Sequence, residues 1–366
     1  MDIFWLVIFS LSLLCLHGHS EAILHEEPDF ECVDIYKQPA FRHPLLKNHK
    51  IQMKAMTRMM KRMGIDTKAD KEKNQTGVFG TSRDLCPDGQ VPIHKQKTQN
   101  QTYHMESKDF PGQYFAALET IEVHRVFRGA SAVMSIHAPH VENNQYSRAS
   151  IWVENGPADQ RNSIQFGWAA HSRIYPDARP RLTVFWTADG YKRTGCYNTL
   201  CPGYVQVDKE YYVGMEVLPK DSNGGPDSLL KVSIVQNTYL DGRWMLMVQD
   251  KAIGYWPKEV FPHLSQGATF LRYGGNTFES PDHILPTMGN GLFPSDTAPY
   301  YMTSAFFTHC KLALENSRGL VFMKDINSAI MKVVVDDNCY RVNYFQDEIS
   351  DLGQMFGYGG HCIPSS

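Results

Sequence analysis

The sequence predicts an all-β protein, with an antiparallel β-sandwich behind a small N-terminal module. From about Phe110 onward, short segments rich in Val, Ile, Phe, Tyr, Trp and Thr recur between Gly, Pro, Asn and Asp residues. Many of these segments alternate apolar and polar side chains, which is typical of strands with one buried face. No long helical pattern separates them, so a sandwich or a barrel is expected.

The strand candidates follow one another along the second part of the chain. They cover residues 131–138, 149–155, 163–170, 181–190, 203–208, 229–236, 243–250, 268–275 and 305–314. Asp189-Gly190 ends one candidate and Asp241-Gly242 lies between two, and both pairs are typical hairpin-turn residues. We expect one large β domain of roughly 250 residues.

The N-terminus has the pattern of a secretory signal peptide. Residues 3–16 form an apolar run interrupted only by Ser10 and Ser12, and the small residues Gly18 and Ser20 behind it suit signal-peptidase cleavage. The run lacks preceding Lys or Arg residues, so a membrane anchor is the alternative. No later stretch approaches the roughly 20 apolar residues of a membrane span. We expect a signal peptide over residues 1–20, and a secreted, extracellular protein without a membrane partner afterwards.

Charge is nearly balanced over the whole chain but not within it. The sequence has 36 Lys and Arg residues and 39 Asp and Glu residues, and this balance argues against a nucleic-acid partner. Residues 45–73 are basic, and Met53, Met56, Met60 and Met63 fall there at helical spacing. We interpret them as one face of a short amphipathic helix packed on a neighbour; calmodulin-like or membrane-surface binding is the alternative.

The cysteines fit an oxidising compartment. Cys196 with Cys201 and Cys339 with Cys362 close short loops, and Cys32 with Cys86 would join the two ends of the N-terminal module. Cys310 is left over in an apolar stretch, so we expect it to be a buried free thiol. Sequons at Asn74 and Asn100 predict glycosylated loops.

Familiar catalytic and cofactor motifs are absent from the sequence. It contains no GxSxG, HExxH, P-loop or GxGxxG pattern, and the 15 histidines are scattered. The cysteine spacing of residues 196–201 has no second ligand pair nearby, so neither a metal nor a cofactor is expected.

Several long phrases resemble one family in consecutive order. The N-terminal phrases are CVDIYKQPAFRHPLLKNHKIQM from Cys32 and CPDGQVPI from Cys86. The later ones are NSIQFGWAAHSRIYPDARPRLTVFWTADGYKRTGCYNTLCPGYVQ, GYWPKEVF, YGGNT and PTMGNGLFP. Together they resemble the activation peptide and the peptidase domain of the neprosin family, from about Asp29 to the end. The resemblance implies a secreted plant protein of the cell wall or apoplast, with a removable propeptide over residues 21–108. It also implies that residues 109–366 form a β-sandwich glutamic peptidase that cleaves beside proline.

Two residues depart from the pattern of the family at its catalytic positions. The family has NSIExGW where this chain has Gln165, and GGE where it has Asn276. Such peptidases need one glutamate to take a proton from water and a second, protonated one to donate a proton. An amide keeps the hydrogen bonds of a carboxylate but takes up no proton at physiological pH. Gln165 and Asn276 therefore predict lost activity.

Nearby residues leave alternatives open. Glu279 lies three residues after Asn276, so a regular strand would direct its side chain to the opposite face, although a bulge would reverse that. Glu154 and Asp189 also lie near strand ends, Asp189 in a TADG phrase typical of a turn.

Aromatic residues and glycines near the two positions suggest a peptide-binding cleft. We interpret Trp168, Tyr273, Gly274 and Gly275 as candidate substrate-binding residues. The alternatives are that the aromatic residues belong to the core and that the glycines accommodate a bulge. Expected partners are a peptide or protein ligand and the protein's own propeptide, lying over the cleft.

Three hypotheses follow. The first is an inactive peptidase homologue that binds peptides, including proline-containing ones. The second is an active endopeptidase with a rewired acid and base pair, and the third is a purely structural or interaction protein.

Overall fold

The computed structural model describes residues 28–52, 78–79, 85–95, 112–121, 124–142, 144–219, 228–295, 303–336, 338–349 and 352–362. The predicted signal peptide, the methionine-lined helix and the sequons at Asn74 and Asn100 lie outside the described residues. Within these ranges the protein consists of β-strands and short 3-10 helices, without an α-helix. The prediction of an all-β fold is therefore confirmed.

The described strands are numbered in chain order. They are β1 Phe30–Asp34, β2 Gln90–His94, β3 Gln113–Thr120, β4 Gly129–Ser135, β5 Tyr146–Asn155, β6 Asn162–His171, β7 Arg181–Thr187, β8 Cys196–Tyr197, β9 Val205–Gln206, β10 Leu229–Gln236, β11 Trp244–Val248, β12 Lys251–Trp256, β13 Phe270–Phe278, β14 Ala305–Glu315, β15 Val321–Asp325, β16 Met331–Val335, β17 Arg341–Ile349 and β18 Gly353–Gly359. The 3-10 helices are Pro39–Arg42, Pro44–Leu46, Ala158–Gln160, Lys258–Val260 and Leu264–Gln266.

Two antiparallel sheets form the sandwich. One has seven strands in the order β16-β3-β13-β5-β6-β7-β8. The other has nine, with β17-β18-β14-β4-β10-β11-β12-β9 in a row and β15 beside β14. Asp241-Gly242 lies in the connection between the antiparallel neighbours β10 and β11, as the sequence predicts.

The main core fills the space between the two sheets. Because side chains alternate along a strand, every second residue of β5, β6 and β13 points inward, among them Ile151, Phe166 and Leu271. The remaining residues lie on the face of the seven-stranded sheet that points away from its partner, here called the outer face. Aromatic side chains on this side of the sheet, among them Tyr146, Phe185 and Tyr191, belong to a second, smaller apolar cluster.

The N-terminal module is a separate two-stranded sheet of β1 and β2 that docks on the sandwich. Asp29 forms an ion pair with buried Arg181 and accepts a 2.6 Å hydrogen bond from the Tyr212 hydroxyl. Gln38 bonds the backbone of Gln206 twice: its Nε2 donates to the carbonyl at 3.0 Å, and its Oε1 accepts from the N–H at 2.7 Å. The side-chain amide thus acts as a strand partner for the end of β9.

All three predicted disulfides are present, namely Cys32–Cys86, Cys196–Cys201 and Cys339–Cys362. Cys310 is a free, fully buried thiol, as predicted, and burial raises its pKa well above the ordinary value. Within the described ranges, no helix combines the length and the apolar character needed to cross a bilayer.

Candidate functional site

The two predicted site residues lie on the same face of neighbouring strands. Gln165 is on β6 opposite Trp152 of β5, and Asn276 is on β13 opposite Arg148 of β5. Arg148 and Trp152 are four residues apart in one strand, so their side chains share a face. The fold therefore brings Gln165 and Asn276 to the outer face, on either side of the central strand β5.

Gln165 belongs to a buried hydrogen-bond network that ends in a carboxylate. Its Nε2 donates to the Ser163 hydroxyl at 3.2 Å and to the Tyr191 hydroxyl at 3.3 Å. The Ser163 hydroxyl donates to Glu154 at 2.9 Å, and Arg161 pairs with the other oxygen of Glu154. Because the Ser163 hydroxyl donates its proton to Glu154, its oxygen accepts from Gln165. The group of Gln165 that faces Ser163 is therefore the NH2, which fixes the orientation of the amide. The Oε1 of Gln165 is left buried without a hydrogen-bond partner.

Asn276 holds an arginine in place. Its Oδ1 accepts a 2.8 Å hydrogen bond from Arg148 Nε, and its Nδ2 donates to the Tyr114 carbonyl at 3.2 Å. The guanidinium carbon of Arg148 lies 5.8 Å from the Trp152 ring centre and 5.7 Å from that of Phe185. Trp152 and Phe185 are also the register partners of Gln165, so the guanidinium and Gln165 share two ring neighbours on this face.

Electrostatics at this site reflect burial and the charge of Arg148. Burial and then the Arg148 charge lower the pKa of His171 well below its usual value, so His171 is neutral. Burial and then the charge of Glu154 raise the pKa of the Tyr191 phenol. The site therefore combines the Arg148 cation and the Glu154–Arg161 ion pair with neutral hydrogen-bonding groups.

Carboxylates considered at the sequence level have other partners. Glu279 accepts a 3.1 Å hydrogen bond from the Tyr114 hydroxyl and pairs with His283 at 2.9 Å. Asp189 accepts bonds from the Thr194 hydroxyl and backbone N–H, as a turn residue does. Glu154 alone of these three is joined to Gln165, through Ser163.

Trp168 and Tyr273, the aromatic binding candidates, lie between the sheets and not on the outer face. Each is three residues from Gln165 or Asn276 in the same strand, and an odd offset reverses the face. Trp168 Nε1 donates to the Ser135 carbonyl, and the Tyr273 hydroxyl to that of Lys311, both in the nine-stranded sheet. Both side chains are fully buried, so both residues belong to the core and do not line a cleft on the outer face.

The two glycines have packing roles. A Cβ at Gly274 would lie 2.5 Å from the Cβ of Ala117 in β3. A Cβ at Gly275 would lie 2.5 Å from Met288 and 2.6 Å from the Tyr358 ring. Close packing against β3 and against the opposite sheet therefore requires glycine at both positions.

The described part of the N-terminal module contacts the sandwich beside the candidate site. Arg181, the partner of Asp29, lies on β7 four residues before Phe185. Within the described ranges, no hydrogen bond joins the module to Gln165 or Asn276. Those ranges also contain no cluster of three or more His, Cys, Asp or Glu residues suited to a metal ion.

Arg148 is the site residue that sequence reasoning missed. A charged residue inside a strand whose other residues are buried was the available signal. Only the strand register shows that it meets Asn276.

Family comparisons agree with the fold. A model described as Neprosin matches residues 143–361, and one described as Neprosin activation peptide matches residues 28–125. The protein is a peptidase-like β-sandwich with an activation-peptide module. Because the first match spans more than half of the sequence, the chain belongs to the neprosin family.

Two solved structures also resemble it. One is a scytalido-glutamic peptidase with a peptide-based transition state analog, at 10% identity and a TM-score of 0.37, covering 69% of this chain and 99% of that chain. The other is SCP-B, a member of the eqolisin family of peptidases in a complex with the tripeptide Ala-Ile-His, at 9% identity and a TM-score of 0.34, with the same coverage. Likenesses at these TM-scores carry no argument about the site.

Proposed function

We propose that this protein is a secreted, catalytically inactive neprosin homologue that binds peptides, including proline-containing ones, on the outer face of its seven-stranded sheet. One observation carries the proposal. Gln165 and Asn276, the positions that the family resemblance assigns to the catalytic glutamates, are neutral amides engaged in buried hydrogen bonds.

Amides at these positions remove the acid–base chemistry. Loss of a general base alone costs about two to four orders of magnitude in rate, and here the general acid is lost with it. Gln165 Oε1 has no hydrogen-bond partner and can accept from a peptide N–H, whereas the Asn276 amide is already engaged with Arg148 and the Tyr114 carbonyl. The site can therefore still hold a peptide group while lacking the proton transfer that cleaves it.

A rewired peptidase is the second candidate, and Glu154 is the residue that favours it. Its carboxylate is joined through the Ser163 hydroxyl to the Gln165 amide, so it is a carboxylate close to the position that the family resemblance gives to the first glutamate. Both oxygens of Glu154 are already bonded, to Ser163 and to Arg161, and the side chain is buried. If this candidate were correct, the unmodified protein would cleave peptides and Glu154→Gln would abolish the cleavage.

The test of inactivity is the double reversion Gln165→Glu with Asn276→Glu. Unmodified and reverted proteins are incubated with proline-containing peptides at acid and neutral pH, and products are measured by mass spectrometry. We expect no turnover by the unmodified protein and turnover by the reverted one. Gln266→Glu with Asn316→Glu, at two exposed positions, is the charge-matched control and should remain inactive. A folded but inactive double reversion would contradict the assignment of these two positions.

Secretion, glycosylation and plant origin belong to the same proposal. The apolar N-terminus, the disulfides and the family support them. Expression in plant cells should release protein that begins near residue 21 and carries glycans at Asn74 and Asn100. Intracellular retention of the intact N-terminus would contradict the secretion proposal.

A further inference from the structure

Arg148 differs from every other buried arginine in the described part of the chain. The other three form ion pairs with carboxylates. Arg181 pairs with Asp29 and Asp177, Arg243 pairs with Asp241, and Arg272 pairs with Glu119. Arg148 is just as deeply buried, at 4% exposure, yet its hydrogen-bond partner is the neutral amide of Asn276. A buried charge without an opposite charge is unfavourable, so an anion is the missing partner.

The free edge of the guanidinium has the geometry for a carboxylate. Arg148 Nε donates to Asn276, whereas Nη1 and Nη2 have no hydrogen-bond partner among the described residues. Two adjacent N–H groups of arginine match the two oxygens of a carboxylate in a fork-to-fork pair. Three rings surround the group, from Tyr146 at 5.1 Å, Trp152 and Phe185. These rings limit competition by water and strengthen the pair.

We propose that Arg148 is a carboxylate-binding residue, which recognises a peptide through a carboxylate at its C-terminus or on an Asp or Glu side chain. This inference rests on the proposed function, because it names the chemical class of the ligand. The family resemblance places a glutamate at position 276, where its carboxylate would neutralise Arg148 from within. Replacement by asparagine keeps the hydrogen bond that orients the guanidinium and leaves its charge available to a ligand.

The binding test compares matched peptides that differ by one charge. Tryptophan fluorescence and calorimetry are used to titrate N-acetyl-Ala-Ala-Ala with a free carboxylate against its C-terminal amide. In a second pair, N-acetyl-Ala-Glu-Ala-amide is compared with N-acetyl-Ala-Gln-Ala-amide. We expect the acid of at least one pair to bind about tenfold more tightly or better, as for a charge-assisted hydrogen bond. The pair that shows the preference identifies the source of the carboxylate. Equal affinities within both pairs, or no binding at all, would overturn the proposal.

The variant Asn276→Asp tests the site with almost no change in shape. Its carboxylate should pair with Arg148 and remove the preference for acidic peptides. Asn316→Asp makes the same change at an exposed turn, where the side chain only accepts backbone hydrogen bonds, and should keep the preference. A preference retained in Asn276→Asp would overturn the proposal.

A second variant separates binding from a structural role. Arg148→Met removes the unpaired charge while keeping a long side chain. We expect it to lose the preference. Its melting temperature should change little, because relief of the unpaired charge offsets the lost hydrogen bond to Asn276 Oδ1. A lower melting temperature together with an unchanged preference would show that Arg148 is structural. Peptide turnover by the unmodified protein would instead contradict the proposed function, so the two failures are distinguishable.

Discussion

Glu119 and Arg272 show how a buried charge is compensated on the outer face. Arg272 Nε donates to Glu119 at 2.7 Å, both side chains are nearly fully buried, and Lys332 approaches the same carboxylate at 3.6 Å. The two residues lie in the same cross-strand row as Trp152 and Gln165. One row of the sheet therefore contains a complete ion pair, whereas the neighbouring guanidinium of Arg148 forms none with the described residues.

This contrast predicts opposite effects of two isosteric substitutions. Glu119→Gln should lower the free energy of unfolding by about 3 kcal/mol, because it leaves Arg272 buried without its counter-charge. Asn276→Asp should raise the free energy of unfolding at neutral pH, since the counter-charge that it supplies to Arg148 outweighs the lost hydrogen bond to the Tyr114 carbonyl. Lys332→Gln, at a half-exposed cation, should change it by less than about 1 kcal/mol. Urea denaturation of the three variants measures all of these values, and a destabilising Asn276→Asp would contradict the view that Arg148 lacks a partner.

At the scale of elements, the N-terminal module covers the edge of β9, the last strand of the nine-stranded sheet. Among the described strands, β9 pairs with β12 and has no neighbour on its other side. Gln38 satisfies the N–H and C=O of Gln206, both of which would otherwise be unpaired in a buried position. The Asp29 ion pair with Arg181 adds a second attachment close to the outer face. The module therefore contributes polar contacts to the sandwich as well as apolar ones.

His94, the last residue of β2, makes this attachment sensitive to acid. Burial is the largest cause that lowers the pKa of His94, to about 4. Among its charged neighbours, Asp29 and Asp177 raise this pKa, and Arg181 lowers it. The unfolded chain binds this proton near pH 6.5 and the folded chain only near pH 4. His94 therefore does not reduce the free energy of unfolding above about pH 6.5. As the pH falls toward 4, its protonation in the unfolded chain lowers the free energy of unfolding by about 3 kcal/mol in total.

The variant His94→Phe keeps the ring that packs edge-on against Tyr175 and removes the titration. We expect its urea midpoint to depend less on pH between 6.5 and 4 than that of the unmodified protein. His140→Gln, at an exposed histidine, is the control and should follow the unmodified protein. Parallel pH profiles for His94→Phe and the unmodified protein would refute this origin of the acid sensitivity.

At the scale of the whole molecule, the sequence predicted strands wherever apolar alternation was strong, as in β5, β6, β10 and β13. No strand candidate covered β1, β2, β3, β8, β12, β15, β16, β17 or β18. In β3 the Ala-Ala-Leu-Glu stretch suits a helix equally well, and bonds to strands on both sides make it a strand. Family phrases located Gln165 and Asn276. Arg148 could not be found in this way, because only pairing between distant strands brings it to Asn276. Trp168 and Tyr273 could have been assigned to the core by counting the alternation from Gln165 and Asn276.

The position of β3 also limits where the N-terminal module can be removed. The activation-peptide match extends to residue 125, yet β3 lies between β13 and β16 and pairs with both. The Cys32–Cys86 disulfide lies within the module, and the other two lie within the sandwich. A single cut before Gln113 would therefore free the module covalently without removing a strand of the sheet.

Two truncated chains and the full chain test this limit. A chain that starts at Asp109 should fold, whereas one that starts at Val126 should not, because it leaves the edges of β13 and β16 unpaired. Circular dichroism and urea denaturation distinguish the two, and a cooperatively folded chain from Val126 would contradict the argument. If the protein is inactive, the full chain expressed without other proteases should also keep its module. A shorter intact mass would indicate self-cleavage and thus an active peptidase.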